Sequence, residues 1–238
     1  MNFFKKELGY CPICEKETTF TSLHSWLRDH YICGFCASIP RERGLMNVIN
    51  NVYPNWRNLK IHESSPGNRG TSTKLSQECP QYIASQYDPG IEFGEIHPEN
   101  KYRSEDLENQ TFENESFDLV ITQDVFEHIF DAEKAFREIY RTLKLGGAHI
   151  FTTPLVNKNI ATQERARRES DGSIVHFYPP EYHGNPVSSN GSLVTWHWGF
   201  DIIERLNSIS EGSGQIVNSQ NPIYGIEGEY LEVIIQKK

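Results

Sequence analysis

The sequence predicts an α/β fold with a parallel sheet, preceded by a small cysteine-rich module. Two apolar runs of strand length, residues 117–122 and 148–153, flank a segment whose apolar residues recur at helical spacing. Asp131 opens this helix, and Gly146 and Gly147 are predicted to stop it. Strand, helix and strand within so short a stretch are typical of a β-α-β unit, whose strands are parallel. The second observation is a set of four cysteines near the N-terminus, arranged in two pairs.

Composition limits the class of protein. The chain has 238 residues, of which 37% are hydrophobic and 23% charged, as expected for one globular domain with a small appendage. No apolar run reaches membrane-spanning length, and no apolar segment follows the charged N-terminus as in a signal peptide, so we expect a cytoplasmic protein. The net charge of -9 argues against a broad contact with nucleic acid.

The N-terminal module carries two Cys-x-x-Cys pairs separated by 18 residues. This spacing fits a zinc ion held by four thiolates, whose ligands are Cys11, Cys14, Cys33 and Cys36. Two disulfides or unligated thiols are the alternatives, and a reducing compartment favours zinc over both. Because four thiolates fill the coordination shell, we expect the zinc to be structural. The predicted module spans residues 1–40 and includes short strands at 18–20 and 30–32.

Further elements follow in order along the chain. Ser38 and Pro40 start a helix that ends near residue 53. Its Arg41 and Arg43 either face an anionic substrate or, as we weigh more heavily, lie on a solvated face or pack against acidic loops. The remaining predictions are strands at 59–63, 82–85, 215–217 and 230–235 and a helix at 201–206.

The central stretch FDLVITQDVFEHIFD, followed by LKLGGAHIFTTP, resembles the fourth strand, following helix and fifth strand of class I S-adenosylmethionine-dependent methyltransferases of the small-molecule type. The resemblance implies a doubly wound, Rossmann-like sheet of seven strands, the last antiparallel, over residues 41–238. It also implies that the irregular insertion at 155–198 is a lid over the substrate.

The resemblance further implies that S-adenosylmethionine is the cofactor. The turn after the first strand takes the place of the family's glycine-rich loop, with Ser65 where glycine is usual, and the second strand lacks the family's ribose-binding carboxylate. Carried over position by position, the cofactor-binding residues are Glu63, Ser64, Ser65, Gly67, Ser85, Gln86, Asp106, Leu107, Gln123 and Asp124.

Methyl transfer needs alignment of the acceptor and, for a hydroxyl acceptor, a base. His176 and His183 in the lid are the leading candidates, with Asp124 behind them. Asp124 fits a role as a backbone-binding loop residue equally well, and His128 is expected to hold its loop together.

The sequence therefore predicts an enzyme that methylates a small molecule or saccharide at oxygen or nitrogen. One alternative is an RNA methyltransferase, which requires a basic surface across the zinc module. The other is an inactive scaffold that binds proteins through that module. The sequence predicts neither the acceptor nor the oligomeric state.

Overall fold

A computed structural model describes residues 3–184 and 191–238. Residues 1–2 of the predicted zinc module and 185–190 of the predicted lid lie outside this range. The described part contains sixteen strands and five α-helices. The helices are α1 Leu27–His30, α2 Pro40–Val52, α3 Gly70–Glu78, α4 Ala132–Thr142 and α5 Ile202–Ile209.

The strands fall into one large sheet and several small ones. The N-terminal strands are β1 Lys5–Cys11, β2 Lys16–Ser22 and β3 Ile32–Cys33. The large sheet contains β4 Ile61–Ser64, β5 Tyr82–Gln86, β6 Arg103–Ser104, β7 Phe117–Gln123, β8 Leu143–Thr152, β15 Ser213–Asn218 and β16 Glu232–Lys237. The insertion contains β9 Gln163–Glu164, β10 Ala166–Arg168, β11 Ile174–His176, β12 Tyr182–His183, β13 Ser192–Leu193 and β14 Trp196–His197.

The seven-stranded sheet has the order β15-β16-β8-β7-β4-β5-β6. The pairs β5–β6, β4–β5, β4–β7 and β7–β8 are parallel, whereas β16 is antiparallel to both of its neighbours. Numbered within the sheet, this is the order 3-2-1-4-5-7-6. The predicted fold class, a doubly wound sheet with an antiparallel last strand, is confirmed.

The predicted β-α-β unit is β7, α4 and β8. The Asp131 side chain accepts a hydrogen bond from the Lys134 amide at 3.0 Å, and this cap starts α4. Ala135, Phe136 and Ile139 form the buried face of the helix. Contrary to the prediction, Gly146 and Gly147 do not stop α4, because the chain passes directly from Thr142 into β8, which contains both glycines.

The third strand, β6, was not predicted. It has two residues and is preceded by a long irregular segment, so it lacks the apolar alternation that identifies a strand. The predicted strand at 30–32 is also displaced, because His30 ends α1 and β3 begins at Ile32.

The N-terminal module shares its core with the main sheet. Buried Cys11, Phe20 and Tyr31 belong to the same cluster as Leu45 of α2 and Ile61 of β4. The module therefore packs as part of the whole rather than around a core of its own.

Arg43 fastens this junction. Its guanidinium is fully buried and donates hydrogen bonds to the carbonyl oxygens of Ser38, Tyr31 and Gly225. The guanidinium also lies 4.5 Å from the centre of the Phe20 ring. Because its donors are used internally, Arg43 does not face a substrate.

No helix in the described ranges is long and apolar enough to cross a membrane.

Two buried histidines make stability depend on pH. His62 and His149 are fully buried in the sheet, and burial lowers the pKa of each imidazole to about 3. The unfolded chain therefore binds more protons than the folded chain between about pH 3 and pH 6.5, and folding stability falls as pH drops through this window. Each histidine contributes a slope of up to about 1.4 kcal/mol per pH unit.

Urea unfolding of the wild type and of His149→Phe at pH 7.5, 6.0 and 5.0 tests this expectation. The free energy of unfolding should depend less steeply on pH in the variant than in the wild type, by about the contribution of one histidine. Every other acid-sensitive group is common to both proteins, so the difference isolates His149. Equal slopes for the two proteins would show that His149 does not resist protonation.

Candidate functional site

One large cleft, with a volume of about 1080 Å³, opens at the carboxyl ends of the parallel strands. Ligands of doubly wound sheets bind at this edge. The first wall is formed by the segments after β4, β5 and β6, and it is lined by Ser64, Ser65, Pro66, Gly67, Gln86, Tyr87, Asp106 and Leu107. The second wall is formed by the segment after β7, the insertion and the N-terminal module, and it is lined by Trp26, Arg28, Asp29, Arg41, Asp124, Glu127, His128, Arg168, His183 and Tyr230.

The loop after β4 presents backbone to the cleft. Ser65 has a positive φ of 56°, and its amide donates to the Ser85 carbonyl at 2.8 Å. The Gly67 amide donates to Ser72 Oγ at 3.0 Å. A Cβ at Gly67 would meet only that hydroxyl, at 3.7 Å, so a ligand has room to approach the backbone here. Ser64, Ser65 and Gly67 thus line the cleft, and their contact with a cofactor stays a prediction.

Glu63 supports the first wall from beneath. It is fully buried and accepts hydrogen bonds from Ser72 Oγ at 2.6 Å, Tyr82 Oη at 2.7 Å and Gln123 Nε2 at 2.8 Å. Burial raises the pKa of its carboxyl, and the three donors oppose that shift. Glu63 does not line the cleft, in contrast to the prediction of cofactor contact; it orients Gln123, which does.

At the end of β5, the two predicted ribose contacts point to different sides. Ser85 is fully buried, and its hydroxyl lies 2.7 Å from His62 Nε2, so the prediction that it contacts cofactor does not agree with its position. Gln86 lines the cleft, and its side-chain amide makes no hydrogen bond to the described residues. The alternation of side chains along a strand separates the two.

Asp106 and Leu107 lie together at the edge of the first wall. Asp106 Oδ1 accepts from the Glu108 amide at 2.8 Å, which fixes the carboxylate and leaves Oδ2 toward the cleft. The Leu107 amide has no hydrogen-bond partner among the described residues. A carboxylate beside a free amide matches the amino group and ring nitrogen of adenine.

Asp124 joins the main domain to the N-terminal module. Arg28 Nη2 donates to its Oδ2 at 2.7 Å, Arg41 Nε lies 3.2 Å from the same oxygen, and Thr152 Oγ1 donates to Oδ1 at 2.9 Å. Burial alone would raise the pKa of the carboxyl, but the two arginines hold it well below its usual range. A carboxylate stabilised in this way accepts a proton poorly. The geometry therefore argues against Asp124 as the general base.

The two lid histidines lie in different places. His183 lines the cleft, with its ring 5.1 Å from that of His128 and nearly perpendicular to it. His176 is exposed on β11, pairs with β10 and does not line the cleft. The structure thus does not support the predicted catalytic role of His176.

Glu127 lies on the second wall, and the sequence alone suggested no role for it. It is almost completely buried, and Thr153 Oγ1 donates to its Oε2 at 3.0 Å. Burial, with the charge of Asp124 as the second cause, raises the pKa of its carboxyl to about 8. The sequence signal for this group is the adjacent pair Glu127-His128. The approach of His183 to this pair could not be predicted from sequence spacing.

Arg41 also lies on the second wall. Its Nε is near Asp124 and 3.5 Å from Asp29, whereas its two terminal nitrogens make no hydrogen bond with the described residues. Arg28 differs, because each of its nitrogens has a partner in Asp29, Asp124 or the Tyr230 carbonyl. Arg41 thus packs against acidic residues, as the more heavily weighted interpretation includes, and its two terminal nitrogens remain available to an anionic ligand.

The four cysteines of the N-terminal module converge. Their sulfur atoms all lie within 4.8 Å of one another, with Cys11 Sγ 3.7 Å from Cys36 Sγ and Cys14 Sγ 3.8 Å from Cys33 Sγ. Zn–S bonds of about 2.3 Å in a tetrahedron require sulfurs about 3.8 Å apart. None of the four forms a disulfide, so the residues present fit a four-thiolate zinc site.

Comparisons with known proteins agree with this architecture. Residues 66–151 match the family described as "Methyltransferase domain". Phosphoethanolamine N-methyltransferase 2 of Caenorhabditis elegans is 44% identical over 52 residues, which make up 22% of this chain and 12% of that protein. The match thus spans a small part of that relative's length.

A solved structure of low sequence identity shares the fold. A crystal structure of an S-adenosylmethionine-dependent methyltransferase from Mesorhizobium loti superposes with a TM-score of 0.51 and 13% identity, covering 82% of this chain and 98% of the other. The Haemonchus contortus phosphoethanolamine N-methyltransferase 2 structure gives a TM-score of 0.44 at 19% identity, covering 73% of this chain and 38% of the other.

The sheet order and the cleft at its carboxyl edge give the chain a Rossmann-like fold, which it shares with the Mesorhizobium loti structure. Within this fold, residues 66–151 carry the match to the methyltransferase domain family.

Proposed function

We propose that this protein transfers a methyl group from S-adenosylmethionine to a small polar molecule, with saccharides among the candidate acceptors, at an oxygen or nitrogen atom. The observation that carries the proposal is a large cleft with two different walls. The first wall offers backbone and unpaired polar groups suited to a nucleoside, and the second offers a cation and imidazoles suited to an acceptor.

The proposed cofactor contacts follow from the first wall. Ser64, Ser65 and Gly67 would hold the methionine part, Gln86 the ribose, and Asp106 with the Leu107 amide the adenine. Gln123 lines the floor and is fixed by hydrogen bonds to Glu63 and Ser72 at 2.8 and 2.9 Å. When bound, the cofactor supplies a methyl group on a positively charged sulfur, and its transfer leaves a neutral thioether while the acceptor loses a proton.

The second wall would hold the acceptor. Arg41 offers two unpartnered nitrogens to an anionic group, and His183, the predicted lid histidine that lines the cleft, would contact the acceptor with His128 beside it. The relative named phosphoethanolamine N-methyltransferase agrees with a small anionic acceptor and favours nitrogen, although the aligned segment is short. We propose that residues 155–198 act as the lid and that residues 1–40 form the zinc module.

Charges on the N-terminal module favour a small molecule over RNA. Lys5 pairs with Glu227 at 2.5 Å and with Glu7 at 3.5 Å, and the Lys16 ammonium lies over the Phe35 ring. The buried Arg28 is committed to the cleft. The described part of the module therefore presents no continuous basic surface for a phosphate backbone.

We infer that the four cysteines bind one structural zinc ion in a reducing compartment. The sulfur positions support this inference, and four protein ligands leave no open position for chemistry.

Binding of S-adenosylhomocysteine, measured by isothermal titration calorimetry, tests the proposed function. We expect saturable binding, weakened about 10- to 100-fold by Asp106→Ala, because a hydrogen bond to a charged group contributes about 1.5–3 kcal/mol. Asp171→Ala is the matched control, since Asp171 is exposed in the insertion and bonds only to the Ser173 amide there. A folded wild type that does not bind the ligand would support the inactive scaffold instead.

A further inference from the structure

A second group of metal-ligating side chains lies in the cleft, away from the cysteines. Glu127, His128 and His183 each place one ligand atom within 4.8 Å of the others. Two of the residues follow β7, and the third comes from β12 of the insertion. These three residues come from different parts of the fold and converge on one point of the second wall.

The two residues after β7 are oriented by contacts of their other atoms. His128 Nδ1 lies 2.9 Å from the Leu193 carbonyl oxygen, so Nδ1 carries the proton and Nε2 keeps its lone pair. Glu127 Oε2 accepts from Thr153 Oγ1, whereas Oε1 accepts no hydrogen bond from another described residue and lies 3.9 Å from His128 Nε2. A histidine held by a backbone carbonyl on one nitrogen is the usual arrangement of a metal-ligating imidazole.

The charges around the group also favour a cation. Glu127 is almost completely buried and forms no ion pair with a lysine or arginine among the described residues. The nearby guanidinium of Arg28 is held by Asp124 and Asp29. Glu181 adds negative charge on the other side, 3.4 Å from His183 Nε2. Asp124 itself is saturated by its own partners and is not a ligand.

We propose that Glu127, His128 and His183 bind one divalent first-row transition cation. Two imidazoles and one carboxylate suit Mn²⁺, Fe²⁺, Co²⁺ or Zn²⁺ better than Mg²⁺ or Ca²⁺. Three protein ligands leave open positions, unlike the closed four-cysteine site.

The role of this metal site rests on the proposed function, methyl transfer, and specifies its acceptor. In the acceptor half of the cleft, the cation would bind oxygen atoms of a hydroxyl-bearing acceptor and lower the pKa of the hydroxyl. His183 would then contact the acceptor through the cation. With a cation in this position, oxygen is favoured as the methylated atom over the nitrogen that the short match to the relative suggests, and polyols such as saccharides are the acceptor class.

Titration of the full chain, loaded with one equivalent of zinc, with Mn²⁺ tests the site. Free Mn²⁺ is read by electron paramagnetic resonance, and Mn²⁺ competes poorly for thiolates. We expect one saturable Mn²⁺ site per chain. Binding of Mn²⁺ should weaken at least about 100-fold in each of the variants His128→Ala, His183→Ala and Glu127→Gln. Loss of a metal ligand should cost at least as much affinity as loss of a residue that only supports a ligand. His176→Ala, an exposed histidine of the same insertion, should bind like the wild type.

Cofactor binding and thermal unfolding are measured on each variant, so that a failure to fold is recognised. Absence of saturable Mn²⁺ and Co²⁺ binding by the wild type, or undiminished binding by the folded His128→Ala/His183→Ala protein, would overturn the metal site. If the wild type binds S-adenosylhomocysteine but no cation, the metal proposal alone fails. Binding of Mn²⁺ without S-adenosylhomocysteine supports the metal site and contradicts the proposed function.

Discussion

Removal of zinc from the four-cysteine cluster is expected to unfold the N-terminal module and to destabilise the whole chain. Structural zinc sites contribute about 10–16 kcal/mol of binding free energy, comparable to or larger than the 5–15 kcal/mol that stabilises a typical domain. Cys11 and Cys33 are buried in the same hydrophobic cluster as Leu45 and Ile61. Loss of the ion therefore removes part of the shared core.

Cys33→Ser and treatment with a strong chelator both test this expectation. Zinc content and thermal unfolding are the measurements, and S-adenosylhomocysteine binding is followed in parallel because Trp26 and Arg28 of the module line the cleft. Cys79→Ala is the control. This buried thiol donates to the Leu59 carbonyl and is not one of the four clustered cysteines, so its loss should leave one zinc per chain. A zinc-free protein with an unchanged melting temperature would show that the ion is dispensable.

Local patterns determined which parts of the fold were predictable. The β7-α4-β8 unit carries its own alternation, helical spacing and Asp131 cap, and the paired cysteines carry their own spacing. The two-residue β6 has none of these, since it exists only by pairing with β5. The stop at Gly146 and Gly147 was wrong because pairing with β7 extended the following strand back to the end of the helix.

The site was less predictable because its contacts connect distant parts of the chain. Arg28 and Asp124 are 96 positions apart, and no spacing rule joins them. Ser85 and Gln86 are neighbours on one strand. The alternation of side chains along a strand predicts that only one of the two faces the cleft, and that residue is Gln86. His176 and His183 looked equivalent in an irregular insertion, and only the pairing of β10 with β11 and of β12 with β13 distinguishes their positions.

The N-terminal module is therefore part of the site as well as an appendage to it. It supplies Trp26, Arg28 and Asp29 to the second wall, and α2, which follows it, supplies Arg41. A zinc ion bound by the four cysteines would therefore influence the cleft without offering an open coordination position. It would fix the segment between the two cysteine pairs, and that segment carries the arginine that holds Asp124.

Replacement of Arg28 by methionine is expected to destabilise the folded protein by about 3 kcal/mol or more. Methionine keeps much of the buried stem, but Asp124 is then left with Arg41 as its only ionic partner among the described residues. Breaking a buried ion pair typically costs about 3–5 kcal/mol, and because Asp124 is only half-buried we expect the lower end of that range. In a chain of this length the melting temperature should fall by about 6–12 °C. Urea unfolding at pH 7.5 measures the change.

Arg137→Met and Asp124→Asn show whether the effect belongs to the buried ion pair. Arg137 is exposed and lies 3.8 Å from Glu133, so its loss should change stability by less than about 1 kcal/mol. Because asparagine removes the uncompensated charge, Asp124→Asn should cost less in the Arg28→Met background than in the wild type. Independent, additive effects of the two substitutions would mean that Arg28 stabilises the junction by packing alone. A positive coupling would place the electrostatic link between the N-terminal module and the cleft at this pair.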